Sequence, residues 1–303
     1  MRVAIIIPYF GKFPVWFELY LYSCSKNPQV DFIFFTDCEL PERVYDNTIF
    51  YKTDFESYCK WVSECLLINF KPKDPYKLCD LKPFYGIIHR SELEPYDFWG
   101  FGDIDLIYGD LNIIINDDSL RKYDIITALS DRVAGHFTVI RKDSRFTELC
   151  KKVPNYKEIL EKQENIVFDE VAWCNSVYPQ LKNIGRISRH ILEPLKIISR
   201  YHWFNWCGRI FCNRLTKRKF WDFKTTPKPQ MGEQWLYDIN KGEVLDPGGE
   251  SIPYLHFFLF KDNRWEKLEH SWCGEYYSVR NKDLFAESGN IVVDINGIKY
   301  ITL

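Results

Sequence analysis

Apolar and polar positions fall into blocks along this chain, and the blocks predict strands and helices in turn. Residues 2–8, Arg-Val-Ala-Ile-Ile-Ile-Pro, hold a continuous apolar, largely β-branched run closed by Pro8 and Gly11, as expected of a parallel strand buried on both faces. From Pro14 to Ser25 the apolar positions Val15, Phe17, Leu19, Leu21 and Tyr22 predict a crossover helix. Residues 31–36, Asp-Phe-Ile-Phe-Phe-Thr, predict a second strand that ends at Thr36-Asp37, and residues 48–52 a third. This β-α-β alternation predicts an α/β, doubly wound, mostly parallel sheet flanked by helices. Ligands of such sheets sit beyond the carboxyl ends of the strands. That rule lines up Tyr9, Phe10, Gly11, Thr36, Asp37, Asp103 and Asp105 along one edge.

The later blocks continue the pattern. Residues 55–69 carry Tyr58, Val62, Cys65, Leu66 and Asn69 at helical spacing, and Tyr76–Pro83 opens a helix that runs to about His89. An aromatic strand over 98–101 stops at Gly102. An edge strand is expected over 111–115, a turn at 116–118, and strands over 124–128 and 134–141. Helices follow over 145–151 and 156–164, and another opens at Phe168–Cys174 with Asp169 and Glu170 in its first turn, where acids favour the helix dipole. Residues 252–265 predict an apolar strand, and 280–303 a hairpin turning at Asn296-Gly297, an accessory ribbon. Three segments follow: a core over 1–185, a basic aromatic helical segment over 186–228, and a C-terminal part over 229–303.

Composition narrows the function classes. At 303 residues and 46% apolar content the chain can bury a large core, and a net charge of −2 gives no global attraction to nucleic acid. There is no run of 18 apolar residues, and the five-residue apolar run after Arg2 is too short for a signal peptide. The ten cysteines show no Cys-x-x-Cys, which predicts reduced thiols in a cytoplasmic protein. Residues 186–228 break this balance, with eleven Lys and Arg against Glu193 and Asp222, and with Trp203, Trp206 and Trp221 among them. Such a segment predicts peripheral contact with the inner face of a membrane, or an anionic partner. Its alternative is a basic hairpin solvated on one face. No RRM, KH or helix-turn-helix pattern accompanies it, and the chain has neither a Gly-x-Gly-x-x-Gly nor a P-loop.

The candidate chemistry centres on Asp103-Ile-Asp105. In an extended segment, residues i and i+2 point the same way, so two carboxylates just past a strand end can face one cation. Mg²⁺ or Mn²⁺ takes one or two carboxylates together with substrate phosphates, and Gly100 and Gly102 allow close backbone approach. His256, in an apolar strand, is either a third ligand or a satisfied core residue, with Lys261 five positions later. Lys77 and Asp80 are either a charge pattern on a helix surface or a phosphate and sugar contact. His136, beside Gly135, is either packed or catalytic. Asp169 and Glu170 either serve only their helix or hold an acceptor hydroxyl.

Taken in order, Tyr9, Thr36-Asp37, Lys77/Asp80, Asp103-Ile-Asp105, Gly135, Asp169-Glu170, His256 and Lys261 resemble a GT-A fold nucleotide-sugar glycosyltransferase. The resemblance covers residues 1–262. It is nearest to polysaccharide-biosynthesis transferases of bacterial capsule and O-antigen clusters, and more distant to the glycogenin and lipopolysaccharide galactosyltransferase families. It implies a hexosyltransferase that moves a hexose from a UDP-sugar to a saccharide acceptor, with the acceptor carried on a polyprenyl diphosphate. It implies that Asp103, Asp105 and His256 hold Mn²⁺ or Mg²⁺, and that Tyr9, Phe10, Thr36 and Asp37 contact the nucleoside. It further implies Lys77, Asp80 and Lys261 on the diphosphate and sugar. Asp169 or Glu170 is then the base of an inverting reaction, and a retaining reaction stays equally open. His256 and Lys261 stand five apart with no Gly between them, where the related motif has six with Gly. The rival classes are a sugar-nucleotide nucleotidyltransferase, which needs more glycine than Pro8–Pro14 offers, and a non-catalytic sugar- or membrane-binding module.

Overall fold

A computed structural model describes residues 1–127, 133–173, 218–220, 225–261, 272, 275–286 and 288–302. In chain order the regular elements are β1 (Val3–Pro8), α1 (Phe17–Ser25), β2 (Val30–Thr36), β3 (Thr48–Lys52), α2 (Phe55–Leu66), α3 (Tyr85–Ile88), β4 (Phe98–Gly102) and β5 (Leu106–Tyr108). There follow α4 (Asp117–Lys122), β6 (Ile125–Thr127), β7 (Phe137–Arg141), α5 (Tyr156–Leu160), β8 (Arg218–Phe220), β9 (Trp235–Asp238), β10 (Glu243–Leu245), β11 (Ser251–Ile252), β12 (Tyr254–His256), β13 (Asn290–Asp294) and β14 (Gly297–Ile301). The central strands are mixed but mostly parallel and flanked by helices, with an antiparallel sheet near the C-terminus, so the α/β class expected from the sequence is the class observed.

The backbone forms two units whose pieces alternate along the chain. The first is Met1–Pro8, Thr53–Gly102 and Asp117–Asp222. The second is Tyr9–Lys52, Asp103–Asn116 and Phe223–Leu303. The segments expected from sequence are contiguous, whereas each of these units is assembled from three pieces.

In the first unit the strand order is β1-β4-β7-β6-β8. β1 pairs β4 in parallel, Val3 opposite Phe98 and Ile6 opposite Phe101, while β7 runs antiparallel to both β4 and β6. Both faces of β1 and β4 are buried, which is why each reads as an unbroken apolar run. Gly100 is needed here: a Cβ would strike the Thr138 carbonyl and lie 2.8 Å from Ile5 Cδ1. α2 starts where the Asp54 carboxylate accepts from Ser57 N at 2.8 Å and ends at Leu67, in the left-handed region at φ 54°.

In the second unit β2 and β3 pair in parallel, β5 pairs β12 antiparallel, and five strands form a sheet in the order β11-β10-β9-β13-β14. Its core joins Leu19 and Tyr22 of α1 to Ile107, Trp235, Leu255, Phe257, Phe260 and Ile291. Asn27 locks the end of β5: its Nδ2 donates to the Gly109 carbonyl at 2.9 Å, and its Oδ1 accepts from Leu111 N at 2.9 Å.

Several local expectations are corrected. The strand expected over 111–115 is a 3₁₀ turn, Leu111–Ile113, because the Asp110 carboxylate caps it by accepting from Asn112 N at 2.9 Å. The strand lies earlier, at β5. The chain bends at Asn116 as expected, but Asp117 and Asp118 already begin α4. The helix expected over 76–89 is a 3₁₀ segment, Pro75–Phe84, joined to α3, since Pro83 has no N–H to give an α-helical ladder. Of the helix expected over 145–151, a 3₁₀ turn at Leu149–Lys152 is present, and Phe168–Trp173 is π-helical. The strand expected over 252–265 breaks at Pro253 and turns into a 3₁₀ segment at Phe258–Phe260, and residues 262–265 lie outside the described residues. The C-terminal hairpin is the edge of the five-stranded sheet rather than an accessory ribbon. Within 186–228, residues 218–220 are a strand parallel to β6. Residues 186–217 and 221–224, on which the helical and membrane-contact expectation rests, lie outside the described residues. Among the described residues no helix is long and apolar enough to cross a membrane.

Candidate metal centre

The acidic pair follows directly from the end of β4 at Gly102. The β5–β12 ladder then does the long-range work. It sets His256 opposite Leu106, the residue after Asp105, and Phe257 N donates to the Asp105 carbonyl at 3.1 Å. Asp103, Asp105 and His256 each offer one ligand atom, and these atoms all lie within 4.8 Å of one another. His256 Nε2 is 3.4 Å from Asp105 Oδ1, and Nδ1 shares a 3.0 Å hydrogen bond with the Thr226 hydroxyl. A partner on the far nitrogen fixes the ring's orientation, as is common for ligating histidines. Two carboxylate oxygens and an imidazole nitrogen suit Mn²⁺ or Mg²⁺, and leave further positions for phosphate oxygens or water.

Asp105 is only 8% exposed. Burial pushes its carboxyl upward, but the Lys261 ammonium and His256 outweigh that and hold it well below the usual carboxylate range. Lys261 Nζ lies 2.6 Å from Asp105 Oδ2. The same ammonium sits 5.0 Å from the Trp16 ring centre and 5.8 Å from that of Phe257. Trp16 also donates its Nε1–H to the Ile104 carbonyl, between the two aspartates, at 2.9 Å. Trp16 and Thr226 carry no local sequence signal: each is a single residue in a loop whose partner lies far along the chain.

The other expected donor-side residues divide by exposure. Tyr9 is half-buried, stacks on Phe13 at 5.5 Å, and has its phenol pushed upward by burial, then by Cys38 and Asp105. Asp37 is exposed, and its carboxylate accepts from Gly11 N at 2.7 Å, holding Gly11 at φ 104°. Phe10 and Thr36 are buried, and Thr36 Oγ1 accepts from Cys38 N at 3.0 Å.

Lys77, Asp80, His136, Asp169 and Glu170 belong to the first unit. Lys77 and Asp80 have no exposed surface and form a 2.9 Å ion pair. Asp80 also accepts from Asn165 Nδ2 at 3.2 Å, Ile166 N at 3.0 Å and Phe168 N at 2.7 Å. Lys77 donates its remaining reach to the Ile159 carbonyl at 3.2 Å. The pair therefore holds the start of the π-helical turn that carries Asp169 and Glu170. A Cβ on Gly135 would lie 2.7 Å from an oxygen of each acid, so both carboxylates lean on that glycine. Lys82 donates to the Gly135 carbonyl at 2.9 Å, and the adjacent His136 is buried.

A family profile matches residues 5–202. The chain belongs to the family of unknown function DUF6625. No curated protein sequence matches this member of the family. Among solved structures it is similar to an apo crystal structure of mouse xyloside xylosyltransferase 1, at 10% identity and a TM-score of 0.30, over 59% of this chain and 82% of that one. A superposition that loose says nothing of substrate or chemistry.

Proposed function

We propose that this DUF6625 protein is a metal-dependent glycosyltransferase that moves a hexose from a UDP-sugar to a saccharide acceptor in surface polysaccharide synthesis. The observation that carries the reading is the Asp103, Asp105 and His256 group at the end of a strand, with ligand atoms within 4.8 Å. Cleaving a sugar–diphosphate bond places negative charge on the leaving diphosphate. A bound Mn²⁺ or Mg²⁺ would neutralise that charge as a Lewis acid. Asp103, Asp105 and His256 hold the cation, and Thr226 keeps the imidazole in register. Tyr9 and Asp37 present a ring and a carboxylate to the nucleoside, while Phe10 and Thr36 shape the loop behind them. Asp169 or Glu170 takes the proton of the acceptor hydroxyl if the reaction inverts, and Lys77 and Asp80 serve by holding that acidic turn. A polyprenyl-diphosphate acceptor at the membrane face rests on the basic composition of 186–228 and on the family resemblance.

The test is donor hydrolysis over a panel of UDP- and GDP-sugars with Mn²⁺, following nucleoside diphosphate release. We expect release from one donor, abolished by EDTA and lowered at least about a hundredfold by Asp103→Asn or Asp105→Asn. Absence of release, together with calorimetry showing neither donor nor Mn²⁺ binding, would overturn the reading.

A further inference from the structure

Lys261 occupies an unusual place for a residue expected to contact diphosphate. Its ammonium is committed to Asp105 Oδ2 at 2.6 Å, well inside the 3.4 Å that separates His256 Nε2 from Asp105 Oδ1. Three aromatic rings stand around it, Trp16 at 5.0 Å, Phe257 at 5.8 Å and Phe258 at 6.0 Å. Aromatic faces favour a cation through their quadrupoles, so the cluster is built to hold a positive charge against Asp105. Trp16 is anchored by its own bond to the Ile104 carbonyl at 2.9 Å, which ties this cage to the Asp103-Ile-Asp105 segment. The Lys261 side chain keeps 26% of its surface exposed, which leaves a long flexible stem room to swing out.

A divalent ion bound through Asp105 would stand within a few ångströms of that ammonium, and the two cations repel. The ion and the ammonium therefore compete for one carboxylate. The ammonium needs another anion to move to, and the nearest one in the proposed reaction is the donor diphosphate. We propose that Lys261 is a tethered counter-ion: it neutralises Asp105 while the centre is empty, opposes metal binding on its own, and is released when metal and diphosphate arrive together. The inference rests on the metal-centre reading above. It makes metal and diphosphate bind synergistically, which guards against capture of a free divalent ion by the vacant site. By linkage, each ligand then strengthens the other by the same factor.

The experiment is Mn²⁺ titration of the intact chain by calorimetry and by water-proton relaxation, with and without UDP, in wild type, Lys261→Met and Lys261→Arg. Lys261→Met should bind Mn²⁺ alone on the order of tenfold tighter, the effect of removing one unit charge a few ångströms away in a partly wet site. UDP should tighten Mn²⁺ binding in wild type, and that gain should shrink in Lys261→Met. Lys261→Arg, which keeps the charge, should stay within a few fold of wild type. Circular dichroism confirms that each variant is folded. If Lys261→Met binds Mn²⁺ as wild type does, or more weakly, the counter-ion role is overturned while the metal centre stands. If none of the three proteins binds Mn²⁺ with or without UDP, the metal-centre reading itself fails, and this inference with it.

Discussion

At the scale of single residues, the same chemical types do opposite things according to how much water they keep. Lys261 keeps a quarter of its side-chain surface in water while it pairs with the buried Asp105, whereas Lys77 and Asp80 form a fully interior pair whose acid is hydrogen-bonded all round. Removing one member of such an interior pair leaves a buried charge, so it costs far more than the pair contributes. His89 gives a third case. It is fully buried, shares a 2.9 Å hydrogen bond with the Tyr58 hydroxyl, and burial pulls its pKa from 6.5 down to about 3. Between those values the unfolded chain holds a proton that the folded chain lacks, so stability falls as pH falls. Lowering the pH from about 7.5 to about 5 should cost roughly 2 kcal/mol through this residue. His89→Gln should remove most of that slope, as measured by urea unfolding at the two pH values.

At the scale of elements, close backbone approach matters more than side-chain identity. β4 can sit between β1 and β7 because Gly100 carries no side chain where the Thr138 carbonyl and Ile5 press in. Gly100→Ala should destabilise the chain by about 2–3 kcal/mol, since a backbone carbonyl cannot step aside. The expected readout is a thermal midpoint lower by roughly 4–12 °C, and an unchanged midpoint would refute the tight packing at β4. The β5–β12 ladder has the opposite character: it is only three residue pairs long, yet with the Phe257 N bond to the Asp105 carbonyl it brings His256 to the acidic pair.

At the scale of the whole molecule, the interleaving of the two units governs what can be removed. A fragment ending at residue 228 would lack β9 to β14, and with them Trp235, Leu255, Phe257 and Phe260, against which Leu19, Tyr22 and Ile107 pack. Such a fragment should bind a hydrophobic dye and lose its near-ultraviolet dichroism, and a native-like spectrum would argue against the shared core. The chain's own sequence determined the α/β class, because runs such as Val3–Ile7 and Phe32–Phe35 are apolar throughout only when both faces of a strand are covered. It also singled out Asp103 and Asp105 as a pair, because two acids so close together just past a strand end are a local feature, although the backbone bends at Ile104 and Asp105 rather than staying extended. Lys77 and Asp80 were ambiguous, since charge and spacing are the same whether a pair is buried or faces a phosphate. The 3₁₀ turn at Leu111–Ile113 escaped because a single Asp110 cap outweighed a β-branched run. Tertiary structure alone decided that Lys261, 156 residues beyond Asp105, lies against it, and that Trp16 cages it. The physical reason is that side-chain proximity across such distances is set by strand register and by a shared apolar core, neither of which leaves a mark at the residues themselves.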